Sequence, residues 1–215
     1  YVGGLPLNPE PPFNYKAPFS PIDVIEEYTR PARMMVNKKV MVKPAMSDLE
    51  IIEFEKVGKL EAFNTDGLRS LIETMKHIPN MKEKTLRYPG HTALIQEYIN
   101  KGMFSKDNIK RTSKELFKAW KLNDEEKEFT LLKVIIESDT DIIKYSLYNE
   151  YDAINKNSSM AKTTGFTATA SINLILNKLF TKKGIFPPEV VGAHKNCLDF
   201  IISYLKERSV LLRKI

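Results

Sequence analysis

The chain of 215 residues is long enough to bury a substantial core, and its 42% hydrophobic and 28% charged residues are typical of a globular protein. A net charge of +6 with basic residues clustered only in pairs indicates a solvated basic surface and no nucleic-acid partner. No apolar run approaches the roughly 20 residues that span a bilayer, and no signal-peptide pattern opens the chain. With the single cysteine, Cys197, these features predict a cytoplasmic location and no membrane partner.

The first residues predict a junction between an upstream domain and this one. The step from Tyr1 to Pro6 has the pattern of a strand end running into a tight loop, so we expect an upstream portion of a longer polypeptide. Residues 5–21 hold six of the twelve prolines, which favour extended backbone. The apolar residues between these prolines, Phe13 and Tyr15 among them, predict a segment that is pressed onto the fold or lines a cleft.

The first helix is predicted from an N-cap at Ser20 to Pro31, with Ile22, Ile25 and Tyr28 as its buried stripe. Alternating residues at 40–43, the apolar residues 51–54 and residues 59–63 predict strands. After residue 64, an i, i+3, i+4, i+7 pattern predicts an amphipathic helix whose apolar face is Leu68, Leu71, Ile72 and Met75.

Residues 85–88 predict another strand, and a helix follows from His91 to a stop at Gly102. Residues 104–125 are the least patterned part, where a helix carrying Trp120 fits best. Next come a buried strand at 129–136 and a second strand at 143–148, which pair as a hairpin around residues 139–141.

Ser158 or Ser159 caps a long helix that we expect to end near Phe180. A last helix and a closing strand at 210–212 form a terminal segment, residues 190–215, that we expect to return toward an upstream domain. Mixed strands and helices predict a single domain, residues 1–215, of class α/β (α+β): a mixed β-sheet flanked by helices.

Polar side chains gather at both ends of the helix-plus-strand unit between residues 63 and 91. Asp66 either complements the dipole of the following helix or contacts a substrate amine. Arg69 and Arg87 either pair with surface carboxylates or grip a substrate carboxylate. His91 either caps a helix or donates a hydrogen bond in a pocket.

Thr163 and Thr164 lie in the first turns of the predicted long helix, where hydroxyls and free amides either cap the helix or favour an anion. The standard phosphate-loop, metalloprotease and nucleophile-elbow motifs are absent from the sequence. The three histidines lie far apart, so we expect no metal site, and Cys197 is predicted to be a small buried apolar residue.

Five motifs occur in order: GGLP at 3–6, TDGLRSL at 65–71, KTLRYPGH at 84–91, MAKTTG at 160–165 and GIFPPE at 184–189. Together they resemble the C-terminal portion of the saccharopine dehydrogenase family, and most closely its short members similar to lysine 6-dehydrogenase. The resemblance covers nearly the whole chain and is poorest at residues 104–125.

The resemblance implies a Rossmann domain upstream that binds NAD or NADP, and a domain here that supplies the substrate wall and a homodimer surface. It places Gly3, Gly4, Leu5 and Pro6 beside the nicotinamide, and it names no catalytic base. We expect residues 1–215 alone, without the upstream domain, to give no turnover. The substrate-binding residues that it implies, for a small amino-acid substrate, are Tyr15, Ser20, Thr65, Asp66, Arg69, Arg87, His91, Thr163 and Thr164.

Two departures from the family pattern bear on the substrate. Saccharopine reductases carry a serine-arginine pair after the step that is Phe19-Ser20 here, where this chain has residues Pro21 to Asp23. The missing arginine favours a substrate with fewer carboxylates, unless Arg30 or Arg33 replaces it. The second departure is Lys162, which stands in place of a family arginine and lacks its bidentate geometry.

The sequence therefore predicts part of an NAD(P)-dependent amino-acid dehydrogenase that oxidises a C–N bond, with lysine or a related diamino acid as the substrate. Saccharopine or carboxynorspermidine dehydrogenase chemistry is the enzymatic alternative. A non-catalytic dimerisation or ligand-binding domain is the alternative from a different functional class.

Overall fold

The computed structural model describes residues 1–17, 20–123 and 126–215. Its strands are β1 (Val2–Pro6), β2 (Ala32–Val36), β3 (Lys39–Lys43), β4 (Glu50–Phe54), β5 (Gly58–Asn64), β6 (Lys84–Arg87), β7 (Glu128–Glu137), β8 (Ile142–Glu150) and β9 (Leu212–Lys214). Its helices are α1 (Pro21–Thr29), α2 (Leu71–Thr74), α3 (His91–Asn100), α4 (Ile109–Trp120), α5 (Ser159–Leu176), α6 (Pro188–Gly192) and α7 (Lys195–Glu207).

In the described part of the chain, seven strands form one mixed sheet in the order β4-β5-β6-β1-β7-β8-β9. The central strand β1 pairs in parallel with β6 and antiparallel with β7, and the other neighbours pair antiparallel. β2 and β3 form a separate hairpin. The predicted class, a mixed sheet flanked by helices, is confirmed.

The main core lies between the central strands and the helices α1 and α4. Leu5, Phe63 and Leu86 from the sheet are fully buried, as is Trp120 at the end of α4. Burial of each such side chain contributes about 1.5–3 kcal/mol relative to exposure. The segment after β1 joins this core through Phe13, Tyr15 and Ala17, which confirms that the proline-rich stretch is pressed onto the fold. Phe19 lies outside the described residues.

The buried stripe of α1 differs from the predicted one. Ile22 is 44% exposed, and Val24 takes the buried place beside Ile25 and Tyr28. Ser20 precedes the helix, but its side chain makes no capping bond. Ser158, in contrast, caps α5 as predicted, since its hydroxyl accepts a hydrogen bond from the amide of Ala161 at 3.0 Å.

The helix predicted after Asn64 is wrong in extent, because only α2, a single turn, is helical there. Leu68 precedes α2 in an irregular turn, and Leu68 and Ile72 pack together against Met34 and Met35. The apolar spacing therefore reflects contact with the hairpin strand β2, which the sequence did not predict. α5 ends at Leu176 instead of near Phe180, and the closing strand lies two residues later than predicted.

The terminal segment after residue 190 returns to the main sheet. α7 packs along α5, and β9 pairs with β8. Its return toward an upstream domain stays a prediction. Among the described residues, no helix combines the length and apolarity needed to cross a membrane.

Candidate functional site

A cleft of about 420 Å³ opens between α1 and the ends of three neighbouring strands, β1, β5 and β6. One wall is helical and the other consists of strand ends and the turn after β5. The residues that line the cleft are Val2, Asp23, Glu26, Glu27, Arg30, Thr65, Asp66, Gly67, Arg69, Glu83 and Thr85.

The helical wall is a single charged face of α1. Asp23, Glu26, Glu27 and Arg30 follow the spacing i, i+3, i+4, i+7, which places them on one side of the helix. Val24, Ile25 and Tyr28 occupy the opposite side in the core. Core burial of one face thus turns the charged face toward the cleft.

The strand-end wall holds the carboxylate of Glu83. Thr65 donates its hydroxyl to Glu83 and lies 2.9 Å from the hydroxyl of Thr85. A Cβ at Gly67 would lie 2.5 Å from the carboxylate carbon of Glu83, so a side chain there would displace it. Burial raises the pKa of Glu83, while hydrogen bonds from Thr65 and the Gly67 amide oppose that rise. Glu83 is therefore a constrained carboxylate with weakened acidity.

Asp66 lines the cleft together with Glu83, but its carboxylate already forms a salt bridge with Arg33. Arg33 from β2 donates Nε–H and Nη2–H to the two Asp66 oxygens, each at 2.8 Å. Burial opposes ionisation of Asp66, but the Arg33 bonds outweigh it and lower the pKa of the carboxyl. Asp66 thus lines the cleft as a carboxylate, although a substrate amine would share it with Arg33.

The positive charges of the cleft come from Arg30 and Arg69. Arg30 pairs with Glu26 one helical turn before it. Arg69 is exposed at the end of the turn after β5 and adopts a left-handed backbone conformation, with φ of 49°. Of the two arginines that sequence reasoning offered as replacements for the missing family arginine, Arg30 faces the cleft and Arg33 faces Asp66.

Tyr15, Arg87 and His91 form a buried cluster behind the helical wall. Arg87 is 2% exposed, and its guanidinium lies 4.2 Å above the ring of Tyr15. Its Nη2 donates to Glu27 at 2.6 Å, which links the cluster to the cleft. None of the three lines the cleft directly. Direct contact between them and a substrate therefore stays a prediction.

His91 is fully buried as the first residue of α3. Its Nδ1 lies 2.7 Å from the carbonyl of Phe13, which can only accept, so Nδ1 carries the hydrogen. Burial lowers the pKa of His91 to about 3, which keeps the ring neutral. The neutral Nε2 then accepts the Tyr28 hydroxyl proton at 2.8 Å.

Other predicted residues lie away from this cleft. Thr163 donates to carbonyls of its own helix α5, and Thr164 is exposed. Lys162 is buried and donates to the carbonyl of Glu150 at 3.0 Å, so it joins α5 to β8. Ser20 is exposed beside α1. The structure does not bring these residues together with Thr65, Asp66 and Arg69.

The predicted nicotinamide contacts at residues 3–6 are buried within β1. A Cβ on Gly3 would lie 2.9 Å from Cβ of Leu86 and 3.0 Å from its carbonyl oxygen. Glycine is therefore required here by the close packing of β1 and β6, and the residues form no phosphate cradle. Their contact with a nicotinamide stays a prediction. In the described ranges, no group of three or more His, Cys, Asp or Glu is placed to hold a metal ion.

The chain is similar to known proteins in both sequence and fold. Residues 1–210 match the family described as saccharopine dehydrogenase C-terminal domain. The chain belongs to this family. Among solved structures, it is similar to apo histidine-tagged saccharopine dehydrogenase (L-Glu forming) from Saccharomyces cerevisiae, with a TM-score of 0.72 and 17% identity. The match covers 100% of this chain and 65% of the yeast chain, so this chain spans about two thirds of that length.

Sequence reasoning did not identify the acidic cleft residues on α1 or Glu83. Glu26 and Glu27 were assigned no function, and Asp23 was named only where the chain departs from the serine-arginine pair of the family. The i, i+3, i+4, i+7 spacing of charges on α1 was a detectable signal for a single charged face of the helix. Glu83 gave no such signal, because its place in the cleft depends on the pairing of β5 with β6.

Proposed function

We propose that this chain is the substrate-binding portion of a nicotinamide-dependent amino-acid dehydrogenase that oxidises a C–N bond. Family membership supports the dehydrogenase class. The cleft supports the amino acid, because carboxylates and arginines line a space whose volume is in the range of small-molecule sites. A nicotinamide bound by the rest of the enzyme would accept the hydride from the substrate carbon.

The observation that carries the proposal is the charge of the lining. Five carboxylate residues, at positions 23, 26, 27, 66 and 83, face the cleft with two arginines, at 30 and 69. Arg30, Arg33 and Arg87 pair with Glu26, Asp66 and Glu27. Arg69 suits a substrate carboxylate, and the other two lining carboxylates, Asp23 and Glu83, suit amino groups. This balance favours lysine or a related diamino acid, as in lysine 6-dehydrogenase chemistry.

Arg30 favours a second candidate. It supplies a cation besides Arg69, so a substrate with two or more carboxylates, such as saccharopine, could be paired as well. Arg30 is tied to Glu26, however, and only rearrangement of that pair would free it. We therefore place this alternative second.

The test measures reduced nicotinamide formation by the intact protein that carries this chain. L-lysine, saccharopine and carboxynorspermidine are offered separately, each with NAD and with NADP. We expect the highest kcat/KM with L-lysine. Activity confined to saccharopine would establish the alternative and assign Arg30 to an additional carboxylate. Activity confined to carboxynorspermidine, which has one carboxylate, would establish that alternative without this role for Arg30. Absence of turnover with all three, in protein shown to be folded, would contradict the dehydrogenase proposal and favour a ligand-binding or dimerisation domain.

A further inference from the structure

All three guanidinium nitrogens of Arg87 donate hydrogen bonds. Its Nε donates to the Tyr28 hydroxyl at 2.9 Å, and its Nη1 donates to the Leu86 carbonyl at 2.8 Å. Its Nη2 donates to Oε2 of Glu27 at 2.6 Å, and Tyr15 covers one face of the guanidinium. The guanidinium is therefore fixed in position, with one of its bonds directed toward the cleft.

Glu27 is the member of this group that reaches the cleft. Its side chain is 25% exposed, whereas that of Arg87 is 3% exposed. Oε2 accepts from Arg87, and no other described residue donates a hydrogen bond to Oε1 of Glu27, which lines the cleft. Arg87 itself does not line the cleft, so its hydrogen-bonded connection to a bound molecule runs through the carboxylate that it holds.

The hydrogen bonds behind Arg87 run in one direction. Arg87 donates to Tyr28, Tyr28 donates to His91, and His91 donates to the carbonyl of Phe13. Burial raises the pKa of Tyr28, so its phenol keeps the proton that this order requires. Each donor in this row meets an acceptor, and the row holds the guanidinium against Glu27.

The charges around Glu27 have opposing effects on the pKa of its carboxyl. Burial raises the pKa of Glu27, and the carboxylates of Glu83 and Asp23 raise it further. Arg87 is the group that opposes them, by charge and by hydrogen bond. Arg30 and Asp66 also line the same cleft. Removal of the guanidinium would therefore leave a half-buried carboxyl beside other carboxylates.

We propose that Arg87 is a positioning residue that holds Glu27 as a carboxylate directed into the cleft, where Glu27 binds an amino group of the substrate. This inference rests on the proposed function for the identity of the ligand. It differs from the sequence prediction for Arg87, in which the arginine itself would grip a substrate carboxylate.

The experiment compares Arg87→Met, Arg87→Lys, Glu27→Gln and the double variant Arg87→Met/Glu27→Gln in the intact protein. We expect Arg87→Met to raise KM for the amine substrate about tenfold and to move the acidic limb of the kcat/KM profile up by about one pH unit. Arg87→Lys should restore part of both effects, because it keeps the charge. In the Glu27→Gln background, Arg87→Met should raise KM no further.

An exposed arginine, Arg111 on α4, supplies the matched control, and Arg111→Gln should leave KM and the pH profile unchanged. A purely structural role for Arg87 would lower the urea midpoint of its variants and leave KM and the acidic limb as in the wild type. That result would overturn the proposal. If Arg87→Met does not fold, Arg87→Lys carries the same comparison with a smaller expected shift.

A second readout separates this inference from the proposed function. Carboxyl ¹³C NMR follows the titration of Glu27, with Glu27→Gln used to assign its resonance. We expect the Glu27 midpoint to rise in the Arg87 variants, whether or not an amino acid is oxidised. An unchanged midpoint would overturn the inference alone. Lack of turnover in the wild type would count against the proposed function alone.

Discussion

Arg69 stands at the cleft with a backbone conformation that side chains other than glycine rarely adopt, at φ of 49°. A left-handed residue costs roughly 1–2 kcal/mol, and such costs concentrate at functional sites. Glycine would avoid the cost but would remove the guanidinium. Arginine at this position places a guanidinium at the cleft in spite of that cost.

This conformation leads to a prediction for Arg69→Gly. The unfolding free energy should increase by roughly 0.5 kcal/mol, since relief of the left-handed cost exceeds the extra chain entropy of glycine. The urea midpoint measures the gain, and kcat/KM should fall in the same variant. Lys178→Gly is the control, because Lys178 is exposed after α5 with φ of 56° and should gain stability without loss of activity. A destabilised Arg69→Gly protein would contradict this interpretation.

His91 predicts how stability depends on pH. Burial lowers its pKa from 6.5 to about 3, so the unfolded chain binds a proton in that interval and the folded chain does not. Stability is therefore expected to fall as pH decreases below about 6.5, by up to about 1.4 kcal/mol per pH unit from this residue. Above that pH, the contribution is constant.

Urea unfolding of the wild type and of His91→Gln at a series of pH values measures the contribution of His91 to the pH dependence of stability. The His91→Gln variant should be less stable than the wild type at pH 7. Between pH 6 and pH 4 it should lose less stability than the wild type, because it lacks the group that gains a proton on unfolding. His77→Gln, at an exposed position, should keep the wild-type slope. Equal slopes for all three proteins would show that His91 is not held neutral.

At the scale of elements, α3 begins with help from a neighbouring strand. Glu61 on β5 accepts hydrogen bonds from the amides of Gly90 and Thr92 at 2.8 and 3.0 Å. The Thr92 hydroxyl donates to the same carboxylate at 2.7 Å. A strand residue thus satisfies amides that a helix leaves free at its start, and it fixes the turn that follows Arg87.

The expected effect of Glu61→Ala is a loss of about 2–3 kcal/mol in unfolding free energy, because buried amides at the start of α3 lose their acceptor. Glu61→Gln should lose less, since its amide oxygen can still accept. Urea denaturation gives both values, and Glu53→Gln on the exposed side of β4 serves as the control. A Glu61→Ala protein as stable as the Glu53→Gln control would contradict the capping role.

Elements with local signals were predictable from sequence. The β7–β8 hairpin and α3 follow from apolar runs and from a histidine after a Pro-Gly turn, and both are confirmed. β2 was missed because Met34 and Met35 are both buried, which breaks the alternation expected of a strand. α2 was overextended because apolar side chains that pack against β2 imitate helical spacing.

At the scale of the whole molecule, the cleft joins residues distant in the sequence. Glu27 on α1 and Arg87 on β6 meet across 60 residues, and Thr65 on the turn after β5 bonds to Glu83 just before β6. Sequence reasoning found the turn residues Thr65, Asp66 and Arg69. It could not find the α1 face that opposes them, because that face depends on where the helix packs. The homodimer stays a prediction, which sedimentation of the intact protein can decide.

The central claim is that this cleft binds an amino acid for oxidation, and the most direct test compares Arg69→Gln with Arg111→Gln in the intact protein. Both are exposed arginines, but only Arg69 lines the cleft. We predict that Arg69→Gln lowers kcat/KM for the preferred amino acid at least about tenfold, the loss of one charge-assisted hydrogen bond, while Arg111→Gln keeps the wild-type value. Equal kcat/KM values for Arg69→Gln and the wild type would contradict the claim.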